Sequence, residues 1–245
     1  MQRHLTEKDI ERRSRIVLLV LVAIFISSMT MLNLLGTSRF LNLSFNLFGL
    51  EIPMIVAVGV LPYPITFLCT DFISELFGKE KASEIVWVGL VVNAWLALIL
   101  WIGGALPGFT AGELSENSNN AFMTIRKISL GTIAASMIAY FAAQTTDVQV
   151  FHFLKKKTKG RRLWIRNNGS TMLSQLIDSV CVISITYFLT RSIPLPEGKS
   201  ELEGLITLIG YSYIFKLVFA ALDTPIFYFG VKYLRVYLRR KDDSF

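Results

Sequence analysis

LPYPITFLCTDFISELFG, residues Leu61–Gly78, is the stretch whose reading decides the fold. Its apolar run is broken by Pro62 and Pro64 and then carries two carboxylates, Asp71 and Glu75, before it ends. Each proline lacks a backbone donor and clashes with the preceding turn, so a helix arriving from Ile52 should kink or stop here, with a second helical piece starting near Ile65. At about 100° per residue, Thr66, Thr70, Asp71, Ser74, Glu75 and Gly78 fall in one half of that piece. Ile65, Leu68, Cys69, Phe72, Ile73 and Leu76 fall in the other, and Phe67 sits inside the polar half. In lipid the polar face must look into protein or a water-filled cavity, and broken helices with ionisable groups are how many transporters build substrate sites. The other reading is a polar helix end reaching cytoplasmic water.

The rest of the chain makes this a membrane segment. Among 245 residues 53% are hydrophobic, and the mean hydropathy is +0.51, too apolar for an ordinary soluble domain. The net charge of +7 does not point to nucleic acid, because the basic residues are confined to termini and short connections between apolar runs. Cys69 and Cys181 both lie within apolar segments, so neither a disulfide framework nor a zinc site is expected, and no cofactor. The first apolar run follows Arg12, Arg13 and Arg15 but is too long for a signal peptide and has no small-residue cleavage site, so it is expected to stay as a span.

Six spans can be drawn: 16–35, 52–77, 84–106, 128–151, 168–190 and 204–228. Each is near the roughly 20 residues that a hydrocarbon core of about 30 Å demands. Most lysines and arginines fall in the N-terminal segment, the 79–81 turn, the 155–166 connection and the C-terminal tail, whereas Arg39, Arg126, Lys127, Arg191 and Lys199 fall on the opposite side. The positive-inside rule then puts both termini in the cytoplasm. The expectation is an all-α integral membrane protein with one membrane domain over 1–245: a cytoplasmic segment 1–15, a six-helix bundle 16–230 and a basic cytoplasmic tail 231–245. Residues 107–120 and 192–203, rich in Gly, Ser, Asn or Pro, read as outer loops. Trp87, Trp101, Trp164 and Tyr228 lie near span ends, as interfacial anchors would, with stacking on a ligand the alternative.

Three later spans carry polar residues with a pattern. In the fourth, Ser129, Thr132, Ser136, Tyr140, Gln144 and Asp147 recur at spacings of three and four beside small residues, which suggests a central helix whose polar stripe is functional. In the fifth, Ser170, Ser174, Gln175, Asp178 and Ser179 repeat the spacing of Thr66, Thr70, Asp71, Ser74 and Glu75. That is the trace expected of two three-helix halves with inverted topology; chance similarity of two amphipathic helices is the alternative. In the sixth, Lys216 sits near mid-span, where a lone ammonium costs several kcal/mol, so it should pair with Asp71, Glu75 or Asp178, snorkelling of its long stem toward water being the alternative. Asp223, followed by Pro225, can mark the end of the membrane part of that helix.

Enzyme signatures are absent: His4 and His152 cannot form a zinc-protease motif, and no nucleophile elbow, phosphate loop or CxxC is present. An intramembrane aspartyl enzyme would need two of the acids brought together by tertiary structure. A substrate-binding subunit of a multi-component vitamin importer would also be a small six-span protein without a nucleotide motif. Both stay open beside a self-sufficient transporter.

Three segments carry a family resemblance: PYPITFLCTDFISELFGKEKA, AASMIAYFAAQTTDVQVFHFLKK and LWIRNNGSTMLSQLIDS. Together they resemble the queuosine-precursor transporters of the vitamin-uptake-transporter family, over roughly Leu18 to Tyr228. The resemblance implies uptake of deazaguanines such as 7-cyano-7-deazaguanine across the bacterial inner membrane, for salvage into tRNA modification. A carboxylate suits such a ligand because it can accept the ring N1–H and the exocyclic amine together, while amides serve the remaining edge. The candidate binding residues are Phe67, Asp71, Glu75, Tyr140, Gln144, Asp147, Asn168, Ser170, Gln175, Asp178 and Lys216, with Phe67 or Tyr140 stacking on the ring. Asp71, Glu75 and Asp178 are also candidate proton carriers, because like charges crowded in one low-dielectric cavity cannot all ionise cheaply. Arg166 can anchor its helix or enter the site. The expected partners are the flat deazapurine, the lipid bilayer and, as one assembly open to such a bundle, a second copy in a homodimer; nucleic acid is not among them.

Overall fold

The computed structural model describes residues 6–47, 50–52, 54–109, 112–158, 163–191, 193–196 and 198–238. Helices dominate: α1 Glu7–Leu35, α2 Tyr63–Phe77, α3 Lys79–Ala105, α4 Glu113–Lys157, α5 Leu163–Thr190 and α6 Glu201–Tyr237. Among the described residues six stretches are long and apolar enough to cross a membrane, the second being Val58–Phe77, which joins a 3-10 turn at Val58–Val60 to α2. The protein is therefore an all-α integral membrane protein in its spans. Two helices start on the same local chemistry: Thr6 with Asp9 opens α1, and Ser200 with Glu203 opens α6, each as a reciprocal capping box.

The second span departs from expectation in its first half. No helix arrives from Ile52. Short strands β1 Phe40–Asn42, β2 Phe45–Leu47, β3 Leu50–Ile52 and β4 Ile55–Ala57 pair antiparallel, β1 with β4 and β2 with β3. The Leu43 amide donates to the Met54 carbonyl (2.8 Å), so the two pairs run on as one ribbon. β-Branched Ile55 and Val56 favour extended backbone, and polar Asn46 opposite Glu51 gives the period-two pattern of a strand pair. Met54 and Val56 of the ribbon pack on Phe215 of α6, while Phe40 and Ile55 pack against Tyr187, Leu205 and Leu208.

The ribbon's root is set by two glycines. The Gly59 amide donates to the Gly36 carbonyl (3.0 Å), and a Cβ on Gly59 would lie 2.7 Å from the Leu32 and Gly36 carbonyl oxygens. Gly36 has φ +41°, and a Cβ there would lie 2.5 Å from Thr132 Oγ1. Only residues without side chains let α1, the 3-10 turn and α4 meet this closely.

Two further expectations are corrected. The second half of the proposed 107–120 loop is helical, because α4 begins at Glu113 with Glu113 and Glu116 favourably placed in its first turn. That extension docks on α3, where Arg126 Nε donates to the Leu100 carbonyl (3.0 Å). Pro225 does not end the membrane helix: α6 runs through it to Tyr237, as membrane helices can when neighbours re-satisfy the freed carbonyl.

The core is built from contacts between helices. Phe25 of α1, Cys69 and Ile73 of α2 and Ile85 of α3 form one buried cluster. The polar stripe of α4 turns out to be packing glue in its first half. Ser136 Oγ donates to Asn33 Oδ1 (2.9 Å), Asn33 Nδ2 donates to Asn93 Oδ1 (3.0 Å), and Ser129 Oγ donates to the Leu34 carbonyl (2.9 Å). These bonds tie α4 to α1 and α3, which is how polar side chains hold membrane helices together. At the ends of the chain, Arg13 of α1 donates to the Tyr237 carbonyl (3.2 Å) and stacks on its ring. The start of α1 and the end of α6 therefore lie at the same end of the bundle.

Candidate functional site

Fifteen residues of α2 rise about 22 Å, too short for the hydrocarbon core, so α2 begins partway through it. Pro62 caps that start and Pro64 occupies its first turn, where a missing donor costs nothing. Tyr63, held between the two prolines, meets α5 and α6 there. Its hydroxyl donates to Gln175 Oε1 (2.6 Å), and the Lys216 ammonium lies 4.6 Å from its ring centroid. Lys216 also forms an ion pair with Asp178. Gln175 and Asp178 stand three apart on α5 and so share a face, which closes a circuit of four side chains from three helices.

The circuit sits deep. Lys216 is midway between Gly204 and Tyr228, and Asp178 is near the middle of 168–190. Their side chains are 5% and 19% exposed. An isolated ammonium at that depth would be costly; with a carboxylate and an aromatic face it is compensated. The expectation that Lys216 pairs with one of three acids is met by Asp178.

The expected single cluster of acids is not formed. Glu75 pairs instead with Arg235, near the end of α6, and Asp71 lies where it feels the carboxylate of Asp223. The reason is geometric: α2 and α5 each deliver their acids to α6, but at different heights. Down α6 the order is Asp178 paired with Lys216, then Asp223, whose field reaches Asp71, then Glu75 paired with Arg235. Among the described residues Asp71 has no basic partner within ion-pair distance.

The hydroxyls of the two repeated polar faces donate largely within their own helices. Thr66 donates to the Tyr63 carbonyl (2.6 Å), Thr70 to that of Phe67 (2.8 Å) and Ser179 to that of Gln175 (3.0 Å). The long side chains are left to make the contacts between helices. The Phe67 ring stands 4.7 Å from that of Tyr63, at the edge of the circuit, and is largely exposed. Ser170 is buried on α5, nearer its start than Gln175. Tyr140 is exposed on α4, and none of the described contacts brings it to the circuit. The side chains of Gln144, Asp147 and Asn168, like those of Trp164, Arg166 and Asn167, lie outside the described ones.

Sequence reasoning missed Tyr63 and Arg235. Tyr63 was legible as an amphipathic aromatic ring at the very break of the span. Arg235 was counted with the tail that sets topology, and nothing in its spacing pointed to Glu75.

Comparison with known proteins agrees with this architecture. Residues 57–230 match the family described as "Putative vitamin uptake transporter". A Bacillus subtilis (strain 168) protein named "Probable queuosine precursor transporter" is 29% identical over 143 residues, 58% of each chain. The "Queuosine precursor transporter" of Escherichia coli (strain K12) is 25% identical over 158 residues, 63% of this chain and 64% of that one. A Haemophilus influenzae protein named "Probable queuosine precursor transporter" is 25% identical over 162 residues, 65% and 61% of the two chains. The match thus spans about six-tenths of the length of these relatives. No solved structure matches the chain. The family match begins at the root of the ribbon and runs through both α2 and α5 to α6, taking in every residue of the mid-membrane circuit, and the chain belongs to the vitamin uptake transporter family.

Proposed function

We propose that this protein carries queuosine precursors, 7-deazaguanines such as 7-cyano-7-deazaguanine, across a bacterial inner membrane. The observation that carries this reading is the mid-membrane circuit of Tyr63, Gln175, Asp178 and Lys216, set at the start of a helix broken within the bilayer. An uncharged planar ligand with adjacent acceptor and donor groups suits it. Asp178 retains acceptor capacity beyond its bond to Lys216 and can take N1–H and the 2-amine, while the Gln175 amide serves O6. Phe67 and Tyr63 offer ring faces nearby. Ser170, Tyr140, Gln144, Asp147 and Asn168 remain candidates on sequence grounds. The names borne by the relatives support the ligand class.

Binding of labelled 7-cyano-7-deazaguanine to the purified protein, competed by guanine, tests the reading directly. Displacement by guanine and not by a pyrimidine is expected; no saturable binding would overturn it. The positive-inside distribution and the Arg13–Tyr237 contact support both termini in the cytoplasm, and the repeated spacing on α2 and α5 supports two inverted halves. A cysteine at Ser115 should react with an impermeant maleimide added outside cells, and reaction from the cytoplasmic side alone would reverse the topology.

For the energy source, the ion pairs take Asp178 and Glu75 into contacts with α6 cations and leave Asp71, beside Asp223, as the proton-coupling candidate. Accumulation in liposomes above the external concentration under an inward proton gradient, abolished by a protonophore, is expected. Equilibration at equal concentrations whatever the gradient would leave intracellular trapping or a partner complex as the driving force.

A further inference from the structure

We propose that Tyr63 sets the ligand selectivity of the mid-membrane circuit by holding the Gln175 amide in one orientation, so that this position tells a 6-oxo from a 6-amino purine edge. The inference rests on the functional reading above and names the residue that gives it chemical selectivity. The Tyr63 hydroxyl donates to Gln175 Oε1 at 2.6 Å, which engages the carbonyl end of the amide. The phenol is itself fixed. Its backbone lies between Pro62 and Pro64, its ring carries the Lys216 ammonium at 4.6 Å on one contact and the Phe67 ring at 4.7 Å on another.

With Oε1 bound to the phenol, Nε2 is the end left for a ligand, and it can only donate. One turn along the same face, Asp178 can only accept while ionised. The two positions therefore present a donor beside an acceptor. A guanine-type edge presents the complement: O6 accepts, and N1–H and the 2-amine donate. A 6-amino ligand would set its own donor against the amide N–H groups and leave both unpaired in a dry site, the kind of mismatch that polar sites reject strongly. The preference for this orientation rests on the hydroxyl donating to Oε1 rather than accepting from Nε2; without the hydroxyl that bond is lost, and the amide can turn over and offer its carbonyl to a 6-amine.

The experiment is competition on the purified full chain, with labelled 7-cyano-7-deazaguanine displaced by guanine or by 2,6-diaminopurine. These competitors share the ring and the 2-amine and differ along the 6,1 edge. For Tyr63→Phe the preference for guanine over 2,6-diaminopurine should shrink about tenfold, whatever the change in affinity for the label itself; Asp178 keeps the remainder. A merely structural role would weaken both competitors alike. Gln175→Glu provides a second reading should Tyr63→Phe not fold: an acceptor-only group there should lower guanine affinity relative to 2,6-diaminopurine. A preference unchanged in either folded variant overturns the proposal. Wild-type protein that binds neither the label nor guanine would remove the functional reading, and this inference with it.

Discussion

Two of the ion pairs made by α6, the ones that reach α5 and α2 along its length, occupy different environments. Lys216 and Asp178, 5% and 19% exposed, meet in the middle of the membrane; Arg235 and Glu75, 12% and 35% exposed, meet near the helix end, about 28 Å further along α6. The chemistry is the same and the surroundings are not. A deep pair has no water to replace a lost partner, so each half depends on the other, and a ligand with suitable donors is one of the few things that could compete for it. A pair near water can be partly replaced by solvent and chiefly fixes how the ends of α2 and α6 sit together.

The largest expected effect comes from breaking the deep pair on one side. Lys216→Met or Asp178→Asn should cost about 3 to 5 kcal/mol of stability, seen as a lowered melting temperature in detergent, and should reduce precursor uptake by about a hundredfold or more. Combining the two should recover most of the stability, since no charge is left alone, without recovering uptake. A double variant as unstable as the singles would show that packing, not charge compensation, holds this region.

The shallow pair should give a smaller response. Glu75→Gln or Arg235→Gln is expected to cost about 1 kcal/mol or less and to slow uptake several-fold, with the exchanged pair Glu75→Arg plus Arg235→Glu restoring most of it. If a double-mutant cycle gave a larger coupling here than between Asp178 and Lys216, the contrast drawn between depths would be inverted.

Asp71 lies between the two pairs along α6, and its neighbour Asp223 has the same charge. Asp71→Asn should therefore change stability by no more than about 0.5 kcal/mol, or raise it slightly by relieving repulsion. Gradient-driven accumulation should nonetheless be lost, with equilibrating transport retained. A variant that still concentrates the precursor under a proton gradient would exclude Asp71 as the coupling residue.

Much of this was legible before any fold was in hand, for definite reasons. Hydrocarbon leaves no option but internally bonded spans, so long apolar runs declared their helices, and the prolines at 62 and 64 declared a break because neither can donate to a helix turn. The mid-span position of Lys216 demanded an acidic partner, and the repeated spacing on α2 and α5 named the faces that would carry the polar residues. What replaced the first half of the second span was not legible. Whether 40–57 forms a ribbon or a helix depends on the surface that Phe215, Tyr187 and the Gly36–Gly59 contact provide, and all of these come from distant parts of the chain.

The same limit holds at the site. Composition and periodicity determined that α2 presents two acids and α5 one, each on a polar face; they could not determine the height at which each acid meets α6, because that depends on where α2 starts within the bilayer and how the helices cross. Tertiary structure alone gave Asp178 to Lys216, gave Glu75 to Arg235, and left Asp71 beside Asp223. It also brought Tyr63 onto Gln175, a contact across 112 positions whose hydrogen bond exists only once α2 and α5 are packed side by side.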